Sequence, residues 1–501
     1  MLAGRSSLAI LTATALTAGT LALDSPAAAA AAPIDWEPCE AASDADCGTV
    51  EVPLEWGNPD GGEISIALAR REASGERLGT ILVNPGGPGG SGVDMVLSGP
   101  WITERLHENY DVVGFDPRGV GSSSAIACDA DVVDRYSRMT APSDEEEFDR
   151  WRRAGAELWE DCRRRTGPLF DNVDTMQVAR DMEAVRASLG EGPLNYLGLS
   201  YGSLMGQQYA ELYPQNVGAM VLDGNMDHSV DTVERFAADE TRAVEELFGE
   251  FAAWCGEDAE CALHGEDVTA VYGRLREAAL RNELLASTGE PKGFDWFNTM
   301  TFANLIDPGQ WSFLAETLRL LEEGETPAES VSADRERGGE SNFVSQAVWC
   351  QDWGFTTETF AEFRALRDDL AERFPTMQWT PYNSYSLICQ GYTGETTNPP
   401  RPTSTRAGAN ILMVGTRFDH ATVYPWNVSA ADQNGAALVT YEGYGHTVYS
   451  QGSGCVDDYV DAFFRNLRRP PGGASCPVVD GLGRTESGPD PAPEPFPRWN
   501  G

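Results

Sequence analysis

Hydrophobic and polar positions along the chain follow two different periods. From Gly48 to Trp56 (GTVEVPLEW) and from Gly62 to Arg71 (GEISIALARR), apolar and polar residues alternate around the turn cluster NPDGG. This pattern predicts an antiparallel hairpin. The pattern then changes to short continuous apolar runs: TILVN (Thr80–Asn84), YDVVGFD (Tyr110–Asp116), Leu194–Leu199 and AMVLD (Ala219–Asp223). Gly-rich turns such as PGGPGGSG and PRGVGSS follow the first two. Between the runs lie stretches with helical spacing, such as Met176–Leu189, where Val178, Met182 and Val185 share a face. Buried apolar strands alternating with helices predict a mostly parallel sheet flanked by helices on both faces, an α/β fold.

From about Val230 to Pro400 the strand pattern disappears. Helical spacing dominates there, as in Arg235–Phe251 and Thr357–Phe374, with aromatic-rich joints FDWFNTMTF and QWSFL. Strand runs resume at ANILMVGT (Ala409–Thr416) and ALVTY (Ala437–Tyr441), and a helix is expected from about Cys455 to Leu467. The expected organisation is a sheet core in two parts, 33–229 and 401–470, interrupted by an inserted helical cap at 230–400. A Pro- and Gly-rich tail at 471–501 follows, partly held down by Cys476.

The N-terminal stretch changes the expected compartment. One Arg, an apolar run from Leu8 to Leu23 and small residues near Ala28–Ala32 read as a secretory signal peptide over 1–32. No later segment is long and apolar enough to span a bilayer, so a soluble, exported mature protein is expected. Ten cysteines, all beyond the signal, favour disulfides. Their connectivity does not follow from the sequence; pairing of sequence neighbours (39–47, 128–162, 255–261, 350–389, 455–476) is the simplest expectation. No C-x2-C or H-x3-H spacing supports a zinc site, and no cysteine is left over to serve as a nucleophile. The formal net charge of -42 argues against nucleic acid or an anionic membrane as a partner.

The candidate chemistry centres on GLSYG, Gly198–Gly202. With 52 Gly in 501 residues, a G-x-S-x-G pattern arises by chance in roughly one such chain in three, so its surroundings must carry the case. Ser200 falls between an expected strand (Leu194–Leu199) and an expected helix (Ser203–Tyr213), the strand-turn-helix setting of a nucleophile elbow. A serine nucleophile needs a base and an orienting acid. His446, in the Gly-flanked YEGYGHT loop after the last strand run, is the expected base; His264 in the helical insertion is expected to be structural. Asp419 in GTRFDHATVYP, just past a strand, is the expected acid, with Asp223 and Asp227 in reserve. NPGGPGG (Asn84–Gly90) suits an oxyanion loop, with the N–H groups of Gly87 and Tyr201 as donors. It fails as a phosphate loop, because no G-K-[ST] follows and Pro88 interrupts any G-x-G-x-x-G spacing.

Taken together, VNPGGPGGSG, DVVGFDPRGVGSS, YLGLSYGSLMGQQYAELYP followed by VLDG, GTRFDHATVY and GYGHT resemble the secreted actinobacterial tripeptidyl aminopeptidases. These are α/β-hydrolases related to prolyl aminopeptidases. The resemblance covers nearly the whole mature chain, including CQDW and Cys389 in the cap. It implies an α/β-hydrolase fold and a Ser200–Asp419–His446 triad. It also implies release of short peptides, tripeptides first among them, from substrates with a free N-terminus, without metal or organic cofactor. Relatives often carry Pro where His420 stands. Acidic cap residues, Asp352 among them, are candidates for holding the substrate amine, though structural pairing suits Asp352 as well. The competing expectations are a carboxylesterase using the same triad and an idle binding protein of this fold; the latter would lack a triad member, and none is lacking.

Overall fold

The computed structural model describes residues 32–285, 290–325 and 344–479. The expected signal peptide, up to residue 31, and the tail from residue 480 lie outside the described residues. Twelve strands are present among them: β1 Glu37–Pro38, β2 Asp46–Pro53, β3 Glu63–Arg71, β4 Gly79–Asn84, β5 Tyr110–Phe115, β6 Leu194–Leu199, β7 Val217–Asp223, β8 Leu284–Leu285, β9 Pro291–Lys292, β10 Ile411–Phe418, β11 Ala437–Tyr444 and β12 Ala474–Cys476. All except the β8–β9 hairpin join one ten-stranded sheet in the order β1-β2-β3-β5-β4-β6-β7-β10-β11-β12. The N-terminal strands pair antiparallel as far as β3–β5, and every later pair is parallel.

The continuous apolar runs form the middle of this sheet because both faces are covered. In β4, Ile81 and Val83 point into one buried cluster and Leu82 into the other. The same alternation runs through β7, with Val221 against Met220 and Leu222, and through β10, with Leu412 and Val414 against Ile411 and Met413. Successive side chains leave opposite faces of a strand, so one run serves both layers. The chain leaves β4 for β5 on one side and then crosses to β6 on the other. A crevice at the carboxyl ends of β4 and β6 follows from that reversal, which is where open α/β sheets bind ligands.

The DPRGVGSS motif after β5 is a bracing unit. Asp116 accepts from Ser91 Oγ (2.6 Å), Val93 N–H (3.0 Å) and Ser122 N–H (2.7 Å), joining the loops after β4 and β5. Arg118 is fully buried and pairs with buried Asp181 through two 2.7 Å bonds, while also donating to the carbonyls of Pro53, Leu54 and Asn172.

Between β7 and β10 the regular structure of the described chain is helical, apart from the β8–β9 hairpin. It holds Val233–Glu257, Val268–Leu280, Phe294–Leu305, Trp311–Glu322, Val344–Asp352, Phe360–Arg373 and the short Tyr385–Ile388. Thr232, Asp267 and Thr359 cap three of these helices by accepting backbone N–H bonds. The stretch is attached to the core through aromatic rings: Phe236 lies 5.2 Å from Trp349, 5.4 Å from Tyr385 and 5.3 Å from Trp426 of the helix Tyr424–Asn434. Disulfides join Cys39–Cys47, Cys128–Cys162, Cys255–Cys261, Cys350–Cys389 and Cys455–Cys476, the sequence-neighbour pairs. Among the described residues no helix is long and apolar enough to cross a membrane.

Candidate active site

The loops that follow β4, β6, β10 and β11 meet at the carboxyl edge of the sheet. At the end of β6 the chain turns within Ser200, whose φ of 54° lies in the left-handed region, and enters the helix Gly202–Leu212. A non-glycine residue there stores backbone strain on the order of 1 kcal/mol or more. The turn is held by Ser200 N–H donating to the Asp223 carbonyl (2.8 Å) and by Ser203 N–H donating to the Ser200 carbonyl (2.8 Å). The flanking glycines are needed for space: a Cβ on Gly198 would sit 2.4 Å from the Gly202 carbonyl oxygen. One on Gly202 would sit 2.8 Å from the Asn84 oxygen.

The loop after β4 is pressed against that turn. A Cβ on Gly86 would lie 2.4 Å from the Leu199 oxygen and 2.6 Å from the Tyr201 nitrogen. Asn84 Oδ1 accepts the Gly86 N–H (2.9 Å), and the Gly86 carbonyl accepts the Gly90 N–H (2.8 Å). Neither bond uses the Gly87 N–H. The Tyr201 N–H stands at the start of a helix, where amides lack intrahelical acceptors. The two expected donors therefore belong to adjoining backbones beside Ser200.

Asp419 follows β10 and His446 follows β11, and their side chains meet. His446 Nδ1 lies 3.0 Å from each carboxylate oxygen of Asp419. With the proton on Nδ1 bonded to the carboxylate, Nε2 is left as the basic nitrogen. Asp419 is 1% exposed and also accepts from Ala421 N–H (2.8 Å), Thr422 N–H (3.0 Å) and Thr422 Oγ1 (2.8 Å). Burial alone would raise its pKa, but the charge and hydrogen bond of His446, together with His420 and the Ala421 N–H, hold it below the ordinary value. The His446 ring is seated at the end of β7, where a Cβ on Gly224 would lie 3.2 Å from its Cε1. Gly224 is next to Asp223, whose carbonyl holds the Ser200 turn.

The reserve acids have other partners. Asp223 Oδ2 accepts the N–H groups of Val448 and Tyr449 (2.8 Å each), and so ties the His446 loop to β7. Asp227 accepts from Ser229 N–H and Gln433 Nε2 (2.9 Å each). His264 Nδ1 lies 3.2 Å from the Cys255 carbonyl, within the helical insertion. His420 packs edge-on against Phe302, its ring 5.8 Å from that of His446. Burial pushes it down to about 4, so it stays neutral beside the Asp419–His446 pair at neutral pH. Among the described residues no group of three or more His, Cys, Asp or Glu could hold a metal ion.

Asp352 is fully buried and saturated with donors: Tyr201 OH, Thr175 Oγ1, Thr175 N–H (3.0 Å) and Asn398 Nδ2 (2.7 Å). That structural pairing leaves it no oxygen for a substrate amine. Burial, with Asp174 adding to it, pushes Asp352 up to about 7 despite these donors. Its pKa is thus raised above that of the unfolded chain. The stability it contributes is present below about pH 4 and declines as pH rises through about 7. The Asp352→Asn variant is expected to lose less stability than the parent between about pH 4 and about pH 7, a difference of a few kcal/mol at most. Parallel thermal melts across that range check it.

Asn84, Thr422 and the bracing role of Asp223 are not evident from sequence alone. The nearest signals were Asn84 at the head of NPGG and a threonine placed three residues after Asp419, a spacing that suits an Asx turn.

Comparison with known proteins gives the family of the chain. The family described as the alpha/beta hydrolase fold matches residues 79–453. The "Serine protease Hip1" of Mycobacterium tuberculosis is 32% identical over 485 residues, covering 89% of this chain and 91% of that one. "Carboxylesterase B" of the same organism is 32% identical over 456 residues, covering 86% of each chain. The "Tripeptidyl aminopeptidase" of Streptomyces coelicolor is 31% identical over 469 residues, covering 87% of this chain and 84% of that one. The chain belongs to the α/β-hydrolase family, within the serine hydrolase group that holds Hip1, the Streptomyces tripeptidyl aminopeptidases and carboxylesterase B.

Proposed function

We propose that this chain is an exported serine exopeptidase that releases short peptides, tripeptides foremost, from free N-termini. Ser200 is the nucleophile, His446 the general base and Asp419 its orienting acid. Supporting this is one observation above the others: the Asp419-bonded His446 ring sits against the end of the same strand that holds the Ser200 amide. His446 Nε2 takes the Ser200 proton as the hydroxyl attacks the scissile carbonyl. The Gly87 and Tyr201 N–H groups hold the resulting oxyanion. His446 then protonates the leaving amine, and water releases the acyl-enzyme by the same route in reverse. No metal or organic cofactor takes part. The described helices between β7 and β10 act as a cap over the carboxyl edge of the sheet and restrict entry to chain ends.

The carboxylesterase reading has its own support in the carboxylesterase B relatives, which match this chain at the same 32% identity as Hip1 over a somewhat shorter span, 456 residues against 485. Purified protein assayed on tripeptide anilides with free and blocked N-termini, and on short p-nitrophenyl esters, separates the two. Cleavage of free-amine anilides well above blocked ones is expected, and ester cleavage without anilide cleavage would assign the chain to the esterases.

A further inference from the structure

One helix of the insertion touches both segments proposed to supply the oxyanion donors, one through its backbone and the other through a side chain. Near its start, Ser345 Oγ donates to the Pro88 carbonyl, one residue past Gly87, and both partners are buried. The approach is close along the loop: a Cβ on Gly89 would fall 2.7 Å from Ser345 Oγ and 2.8 Å from Val344 Cγ1. At its end, Asp352 accepts the hydroxyl of Tyr201, the residue whose N–H is the second donor. Ser345 and Asp352 are about two helical turns apart, which places them on one side of the helix at a spacing of roughly 10 Å.

The helix is fixed to the core, so it differs from a free lid. Gln351 donates to the Phe170 carbonyl (2.8 Å) and accepts the Val173 N–H (3.0 Å). The Asn398 N–H donates to the Gln351 carbonyl (3.0 Å), and Cys350 is bonded to Cys389. Asp352 itself binds Thr175, at the start of the core helix Thr175–Leu189. Trp353 continues the contact, its ring edge-on to Tyr201 at 5.8 Å.

We propose that the helix Val344–Asp352 clamps the two halves of the oxyanion site in register, with Ser345 positioning the Gly87 loop and Asp352 positioning Tyr201. The insertion is then a working part of the catalytic frame as well as a cover over it. Two amides on separate loops stabilise an oxyanion only when both converge on one point. The loops touch directly at Gly86, and a rigid element bonded to both, beyond that contact, holds the Pro88 side of one and the Tyr201 ring of the other. The inference rests on the reading of Ser200, Gly87 and Tyr201 given above, and it holds equally for a peptide or an ester substrate.

The test uses Ser345→Ala, Asp352→Asn and Tyr201→Phe in the full chain. The last removes only the hydroxyl that Asp352 accepts. Steady-state hydrolysis of a p-nitrophenyl ester and of a peptide anilide gives kcat and KM. Inhibition by a peptide aldehyde, whose adduct with the serine carries the oxyanion, gives a readout that packing alone would not move. Each variant is expected to lower kcat by ~10–100-fold with KM changed less than about twofold, and to weaken aldehyde binding in parallel. Ser345→Thr, which keeps the hydroxyl, is expected to restore most of the loss. Unchanged kcat in Ser345→Ala and Tyr201→Phe, or a fall in kcat with aldehyde affinity intact, would overturn the clamp. Failure of the underlying reading shows differently, as activity that survives Ser200→Ala.

Discussion

Ser200→Ala is expected to lower kcat by about 10⁴–10⁶-fold on every acyl substrate, leaving a folded protein with nearly unchanged substrate affinity. The folding half of that expectation comes from the turn. Ser200 is held by its backbone, through bonds to the Asp223 carbonyl and from the Ser203 amide, and these do not involve the hydroxyl. Alanine at a φ of 54° is strained to a similar degree as serine. Melting temperature should therefore stay within a few degrees of the parent while turnover collapses. The substitution removes the attacking oxygen and little else, so any peptidase or esterase activity that survives it belongs to another site. Circular dichroism melts run beside single-turnover assays check both halves.

The second large effect is expected at Asp419. Asp419→Asn should reduce kcat by about 10⁴-fold with KM nearly constant. The carboxylate accepts from two backbone amides and the Thr422 hydroxyl as well as from His446. An asparagine oxygen can keep the two amides on Oδ1. Its NH2 then stands where Oδ2 met the imidazole and Thr422 Oγ1. Facing that donor, Nδ1 must accept, the proton moves to Nε2, and the base can no longer take a proton from Ser200. His446→Ala should cost a similar factor. The double variant Asp419→Asn/His446→Ala should be scarcely worse than His446→Ala alone, because the two residues act as one unit. Comparing kcat of the three variants on one ester substrate checks this.

How much of this was legible in the sequence depends on the range of the interactions. Strands β4, β5, β6, β7 and β10 stood out as apolar runs because they are buried on both faces, whereas β11 alternates buried positions with half-buried or exposed ones. The N-terminal hairpin stood out because it alternates. Strands β1 and β12 are too short for any period to register, and they exist because a neighbouring edge offers them backbone partners. The helix Glu145–Thr166 is legible in the sequence as well. Three Glu in its first turn, three Arg in its last and buried Phe148, Trp151, Leu158, Trp159 and Cys162 give it a helical signature.

The same division runs through the site. Ser200, Asp419 and His446 could be placed at strand ends in the order of the chain, since strand ends are local features. The contacts that aim them are not local. Asp223 meets Val448 across 225 residues, and Ser345 meets Pro88 across 257. No short motif encodes such pairings. They follow only when the parallel sheet brings its carboxyl edge together and the insertion folds back onto it.

The proposal that Ser200 is activated by His446 is tested most directly by covalent labelling with a fluorophosphonate and peptide mapping by mass spectrometry. A single adduct on Ser200 is expected, absent from Ser200→Ala and formed far more slowly in His446→Ala. An adduct on another serine, or Ser200 labelling that proceeds at full rate without His446, would contradict it.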